Sequence, residues 1–224
     1  MEFIHAINLG GFYPCWNLRI NGKLWTPNFL ALIDAGIAAS HRSIDKFSIE
    51  ELKIHGPQEC GLTPRTGSAI IKAAILRSGQ KMVNGYGEEV LVSDETRQFL
   101  LKSSEVELEF ERVRRLVSPN SVSRLSCIWL AERTPEGEQH IKDMLGHDVY
   151  ILNVRITTAL NLSRVDTAWF DQYWHEDKSE YIERYWSGQP QSGTPKWEYL
   201  LDGEIQVEDQ QQLEFVKRNG NILP

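Results

Sequence analysis

The sequence is short of cysteine, of positive charge and of long apolar runs, and each shortage removes a class of protein. Its three cysteines, Cys15, Cys60 and Cys127, are odd in number and far apart. They supply neither a disulfide framework nor the paired spacing of a zinc site. Lys and Arg total 24 against 31 Asp and Glu, a net charge of −7. That balance argues against broad, nonspecific binding to phosphate backbones or anionic lipid. No segment is long and apolar enough to span a bilayer, and Met1 to His5 put no basic region ahead of an apolar run. A soluble, cytoplasmic protein that does not enter membranes is expected. Familiar chemical signatures are missing as well: no G-x-x-x-x-G-K-[ST], no G-x-G-x-x-G, no H-E-x-x-H or C-x-x-C, and no G-x-S-x-G. His140 and His147 have no evident third ligand beside them, so no metal is expected.

What is present is the composition of a folded chain, 224 residues with 41% hydrophobic and 25% charged side chains. That is enough for a substantial core, and no internal repeat or linker divides it. Alternation over Phe3–Ile7 predicts an opening strand that stops at Gly10-Gly11. A Pro- and Trp-bearing loop is expected from Pro14 to Pro27, then a short helix over 28–38 and a mixed region from Ala39 to Glu59. Helical spacing of Ile70, Ile71, Ala74 and Ile75 predicts a helix from Thr66 to Arg77, stopped near Gly79. Gly85 and Gly87 mark a loop. A longer helix spans Asp94–Val117, interrupted near Ser103-Ser104, with Val106, Phe110, Val113 and Val117 as its apolar stripe.

Arg124–Ala131 reads as a short buried strand. Thr134-Pro135 is an N-cap followed by proline, opening a helix that closes at Gly146. Tyr150, Leu152, Val154 and Ile156 alternate as a half-buried strand. A helix over 166–186 ends at Gly188 and Pro190. Lys196–Val207 reads as a strand, a tight Asp202-Gly203 turn and a second strand, and a polar tail holds Gln210-Gln211-Gln212. The sum is one α+β domain over residues 1–224 with a helical insertion at about 28–100.

Four features carry candidate chemistry. His5 sits in the first strand, where a lone histidine is most often a hydrogen-bonded core residue. Ser123-Arg124-Leu125-Ser126 enters a buried strand from a turn, where an arginine is usually an ion-pair partner and serines usually cap. Tyr185-Trp186 ends a helix, a common place for core aromatics. Glu198 heads a strand between Trp197 and Tyr199, where a carboxylate is poorly solvated unless a negative charge is needed. A ligand hydroxyl, a developing cation or an arginine would each supply that need.

The order of these features, His on the first strand, Ser-Arg before a middle strand and Glu on a late strand, resembles the ADP-ribosyltransferase superfamily. The runs Leu108-Glu109…Val113-Arg114-Arg115…Ser123-Arg124-Leu125-Ser126-Cys127-Ile128-Trp129-Leu130 and Tyr185-Trp186-Ser187-Gly188…Trp197-Glu198-Tyr199-Leu200-Leu201-Asp202-Gly203-Glu204-Ile205 are similar to an uncharacterised bacterial family placed in that superfamily. The similarity covers the last half of the chain and the first strand; residues 12–100 match nothing named. It implies split antiparallel sheets around an NAD+ cleft, with NAD+ as substrate and no metal. Glu198 would be catalytic, stabilising the oxocarbenium-like ribose as nicotinamide leaves. His5 and Ser123, with Ser126 as a second candidate, would hold ribose hydroxyls. Arg124 would meet the pyrophosphate, and Tyr185 or Trp186 would stack on nicotinamide.

Many superfamily members carry Glu or Gln two residues before the catalytic Glu. Lys196 occupies that place here, which puts transfer to an arginine side chain in doubt. The acceptor stays open among RNA, DNA and protein, and basic groups on the helical part (Arg112, Arg114, Arg115; Lys72, Arg77, Lys81) read first as a solvated helix face. The resemblance implies an intracellular toxin of bacterial or phage conflict with a neutralising antitoxin partner. The rivals are a non-catalytic ligand- or partner-binding module of the same fold, and an NAD+ glycohydrolase.

Overall fold

The computed structural model describes residues 1–35, 44–57, 65–83, 87–146 and 148–221. Cys60, Gly85, His147 and the part of the expected helix beyond residue 35 lie outside them. In chain order the elements are β1 (Phe3–Ile7), α1 (Phe12–Asn21), β2 (Lys23–Trp25), α2 (Pro27–Ala35), α3 (Ile49–His55), α4 (Arg65–Arg77), α5 (Asp94–Val117), β3 (Ile128–Glu132), α6 (Pro135–Leu145), β4 (Tyr150–Asp166), α7 (Thr167–Glu176), α8 (Ser179–Trp186), β5 (Trp197–Val207) and α9 (Gln210–Asn219). The class is α+β, with one small antiparallel sheet.

Strand order is β2-β5-β3-β1-β4, and β4 also pairs with β5, so four strands close a ring. Long β4 lies along nearly all of β5, from Val154 opposite Val207 to Asp166 opposite Trp197, with two register shifts on the way. On its other side β5 meets β3 at Tyr199–Leu201 and β2 at Glu204–Gln206. Each strand of the ring has a neighbour on both sides over part of its length, and β2, paired only with β5, stays at an edge. Between β1 and β3 the ladder is brief: Phe3 opposes Glu132 and Ile4 opposes Ala131. The His5 ring then reaches across, Nδ1 lying 2.8 Å from the Trp129 carbonyl oxygen.

The two faces of these strands carry different cores. Phe3, Ile7, Leu130, Leu152, Tyr199, Leu201 and Ile205 pack together with Cys15, Leu18 and Val216 from α1 and α9. Residues of opposite parity, Cys127, Val165 and Leu200, pack against Phe110 of α5, Trp169 and Tyr173 of α7, and Tyr181, Ile182, Tyr185 and Trp186 of α8. Strand alternation places Glu198 on this second face with Leu200, and His5 on the first with Phe3 and Ile7.

Several expectations are corrected. The Pro14–Pro27 segment is α1 and β2 rather than a loop. Pro14 is the third residue of α1, where its missing N–H has no intrahelical partner to lose. Helix α5 runs unbroken through Ser103-Ser104, and buried Ser104 accepts a 3.1 Å hydrogen bond from Arg77. Helix 166–186 is two helices, parted at Asp177, whose φ of 53° is left-handed. The polar tail is helical because Asp209 caps it, accepting from Gln211 N at 2.8 Å. The buried run expected from Arg124 begins as a turn, and β3 starts only at Ile128.

The Asp202-Gly203 turn is absent; β5 is one strand of 11 residues. Asp202 accepts from Thr26 Oγ1 at 2.6 Å and from Asn28 Nδ2 at 2.8 Å. These bonds tie the start of α2 to the middle of β5. A Cβ on Gly203, at φ 155°, would lie 2.1 Å from the Thr158 carbonyl oxygen of β4. Glycine here lets two strands approach at a register shift instead of turning the chain. Asp202→Ala is predicted to lower the unfolding free energy by about 2 kcal/mol or more, because two buried donors lose their acceptor. Urea denaturation measures this; a near-neutral result would fit an exposed turn instead.

Candidate functional site

A polar stripe runs down one side of α5. Ser104, Glu107, Glu111 and Arg114 recur at helical spacing and all are buried. Beside the apolar stripe of Val106, Phe110 and Val113, it faces the turn that leads into β3. The turn's first two residues divide between two carboxylates. Ser123 Oγ donates to Glu111 Oε2 at 2.7 Å, and Arg124 grips Glu107 with two 2.7 Å bonds from Nε and Nη2.

Around Glu111 the network is fully matched. Arg114 donates to it at 2.9 and 2.7 Å and Arg115 at 2.8 Å. Arg114 also reaches Asp45, and Arg115 donates to the carbonyls of Phe47 at 2.6 Å and Ile44 at 3.0 Å. Burial works to raise the Glu111 carboxyl, but these arginines hold it below its usual range. Arg114 and Arg115 therefore do not form an open basic patch, as a solvated helix face would require. They fasten the 44–47 segment to α5.

Arg124 is the centre of the second network. The Trp129 and Phe170 rings each lie 4.3 Å from its guanidinium carbon, and the Phe110 ring lies at 5.5 Å. Its Nη1 donates to the Tyr185 hydroxyl and lies 3.7 Å from Glu198 Oε2. Burial works against this cation, yet Glu107, Tyr185 and Glu198 keep its pKa well above that of free arginine. Burial pushes the Tyr185 hydroxyl and the Cys127 thiol well up, so both are neutral.

Glu198 stands apart from its neighbours. It is 2% exposed, and neither oxygen accepts a hydrogen bond among the described residues. Its close polar contacts are Arg124 at 3.7 Å and His140 Nε2 at 3.6 Å. Glu107 already takes the fork of Arg124, so two buried carboxylates share one guanidinium.

The structure thus brings Glu198, Arg124 and Tyr185 into one cluster, and Trp186 borders it through a 2.9 Å bond to the Phe110 carbonyl. His5 and Ser123 are held elsewhere, His5 at the Trp129 carbonyl and Ser123 at Glu111. Ser126 is buried in the turn, its N–H 3.3 Å from the Ser123 carbonyl. Lys196 pairs with Asp171 at 3.4 Å on the surface. Sequence reasoning missed Glu107, Trp129 and His140. Glu107 was legible in the 104–107–111–114 spacing, and His140 in its place beside Ile141 on the buried side of α6. A cleft of about 450 Å³ lies off this cluster, between Ile4, Arg133, Thr134, Ile151, Asn153 and Gln212. Among the described residues no His/Cys/Asp/Glu group is arranged to hold a metal, and no helix is long and apolar enough to cross a membrane.

Arg124→Met is predicted to cost about 3–5 kcal/mol, since it leaves Glu107 and Glu198 buried without a counter-charge. Ser123→Ala is predicted to cost less, about 1–3 kcal/mol, for the lost bond to Glu111. Urea unfolding of both variants checks the order. A loss below about 1 kcal/mol at Arg124 would be the behaviour of a surface pair and would contradict the network.

The family described as "Protein of unknown function (DUF2441)" matches residues 69–214, the stretch that holds Arg124, His140, Tyr185 and Glu198. Among curated proteins none matches.

Proposed function

The chain belongs to the DUF2441 family, and for this member we propose NAD+-dependent ADP-ribosyl transfer to a macromolecule, with Glu198 as the catalytic carboxylate. One observation carries the reading: a buried carboxylate with both oxygens unmatched and its nearest arginine already engaged by Glu107. A group held this way is costly unless it meets hydroxyl donors or positive charge.

The reaction supplies both. The bond from ribose C1′ to the nicotinamide nitrogen breaks, and nicotinamide leaves with the electron pair. Positive charge then spreads over C1′ and the ring oxygen, and an acceptor oxygen or nitrogen attacks C1′ and gives up its proton. A dry carboxylate stabilises that cation more than it stabilises the neutral ribose of the ground state. Arg124, clamped by Glu107 and Tyr185, positions Glu198 from 3.7 Å without consuming its oxygens. With Glu198 2% exposed, the ribose reaches it after the covering side chains give way.

The transfer we propose goes with an ADP-ribosyltransferase-like split sheet around a cleft. Support comes from β1 and β3, which pair only at Phe3–Ile4 and then part. In this arrangement His5 props the parted strands through the Trp129 carbonyl. Arg124, engaged by Glu107, leaves the pyrophosphate to other groups. The acceptor is RNA, DNA or protein. A toxin role with a neutralising partner is the biological setting the sequence resemblance implies.

A second reading, a non-catalytic binding module, is favoured by the same consumed groups: Arg124 on Glu107 and Ser123 on Glu111. Labelled NAD+ incubated with the protein and cell lysate separates the two. Transfer predicts label on a macromolecule, removed by nuclease or by protease according to the acceptor, and a rate about 10²–10³ lower for Glu198→Gln. Release of free ADP-ribose alone would make the protein a glycohydrolase. Absence of any NAD+ turnover, equal in wild type and Glu198→Gln, would leave the binding module.

A further inference from the structure

Glu198 is not alone in lacking partners. His140 Nε2 and Trp129 Nε1 are also buried without a hydrogen bond among the described residues. His140 is 9% exposed, and its Nε2 lies 3.6 Å from Glu198 Oε1. That separation is too long for a direct hydrogen bond. It still lets one atom beside the pair lie within bonding distance of both. The Trp129 ring covers Arg124 at 4.3 Å, and Arg124 in turn touches Glu198 at 3.7 Å, so the indole borders the same cluster.

We propose that Glu198, His140 and Trp129 form a cradle for the vicinal diol of a ribose, with His140 as a substrate-contacting residue. The inference deepens the transferase reading and rests on it for the identity of the sugar. The inventory of groups selects the ligand. The carboxylate has two acceptor atoms and asks for two O–H donors. The indole N–H asks for one acceptor, and the imidazole nitrogen takes either role. A cis diol offers two hydroxyls that donate through hydrogen and accept through oxygen. Phosphate offers acceptors only, and the one guanidinium at the site is already shared between the Glu107 and Glu198 carboxyl groups. His5, held at the Trp129 carbonyl on the other face of the sheet, leaves this role to His140 on α6.

The test titrates wild type, His140→Ala, His140→Gln and Trp129→Phe by calorimetry, with thermal unfolding as the check on folding. The probes are NAD+, its analogue lacking the 2′-hydroxyl of the nicotinamide ribose, and D-ribose 5-phosphate. Hydrogen bonds to a charged or dry site predict a loss of about tenfold to a hundredfold for NAD+ in His140→Ala and Trp129→Phe. Binding of the deoxy analogue should change little, and His140→Gln, which keeps an N–H donor, should recover part of the affinity. Equal NAD+ affinity in wild type and folded variants overturns the cradle and leaves the transferase reading standing. His140-dependent binding of ribose 5-phosphate, with no NAD+ binding or turnover, sinks the transferase reading and leaves the cradle. If no probe binds wild type, both fall.

Discussion

The rest of the site depends on one buried cation. Arg124 enters from the turn before β3, lies between the Trp129 and Phe170 rings, and forks onto Glu107 of α5. Through the same guanidinium it meets Tyr185 of α8 and Glu198 of β5. Four elements distant in sequence are thus held by a side chain that must find its partners to be buried at all. Aromatic faces shield it, and the carboxylate fork satisfies its donors. Removing water from the cluster also strengthens every charge interaction within it. A catalytic carboxylate benefits from such a place, provided that its own oxygens stay free.

The split between Ser123 and Arg124 explains how that freedom is kept. Adjacent residues of one turn bind Glu111 and Glu107, one helical turn apart on α5. Glu111 gathers two arginines and a serine, while Glu107 takes the fork of Arg124. Both structural carboxylates are therefore fully engaged by the scaffold, and Glu198 is left with contacts of 3.6 and 3.7 Å. The contrast with Glu204 on the same strand is instructive. Trp25 at 2.5 Å, Lys23 at 3.0 Å and Thr157 all donate to it, and its pKa is lowered despite burial. Satisfied in that manner, a strand carboxylate is structural. Glu198 is the exception on β5.

Much of this was readable from the chain. The Thr134-Pro135 cap, the strand at Phe3–Ile7, the α4 helix and the Val106, Phe110 and Val113 stripe of α5 follow from periodicity and local chemistry, whereas Val117, expected on that stripe, is 50% exposed at the last residue of α5. The failures have physical causes. Strand β5 is covered on both faces, so its residues show no alternation, and Asp202-Gly203 imitated a turn. Residues that bind across the sheet, Asp202 to Thr26 and Asn28, leave no local signal because their partners are far along the chain. Arg114 and Arg115 looked like a solvated face because a helical spacing shared with Glu111 was read for its charge alone. Trp129, near the start of a strand beside a Ser-Arg turn, is well placed to stack on that arginine, a contact that periodicity does not signal. His140 has no metal-ligand spacing, and its signal is its place beside Ile141 on the buried side of α6.

The central claim is that the unmatched atoms around Glu198 are a ribose site rather than an unfilled part of the core. Of seven tryptophans, Trp129 carries a buried indole N–H with no acceptor among the described residues. Its indole signal in an ¹H–¹⁵N correlation spectrum is identified by its disappearance in Trp129→Phe. On titration with NAD+ this signal is predicted to move progressively and saturate, as the N–H acquires a hydroxyl acceptor. A Trp129 signal that stays in place at saturating NAD+ would contradict the account.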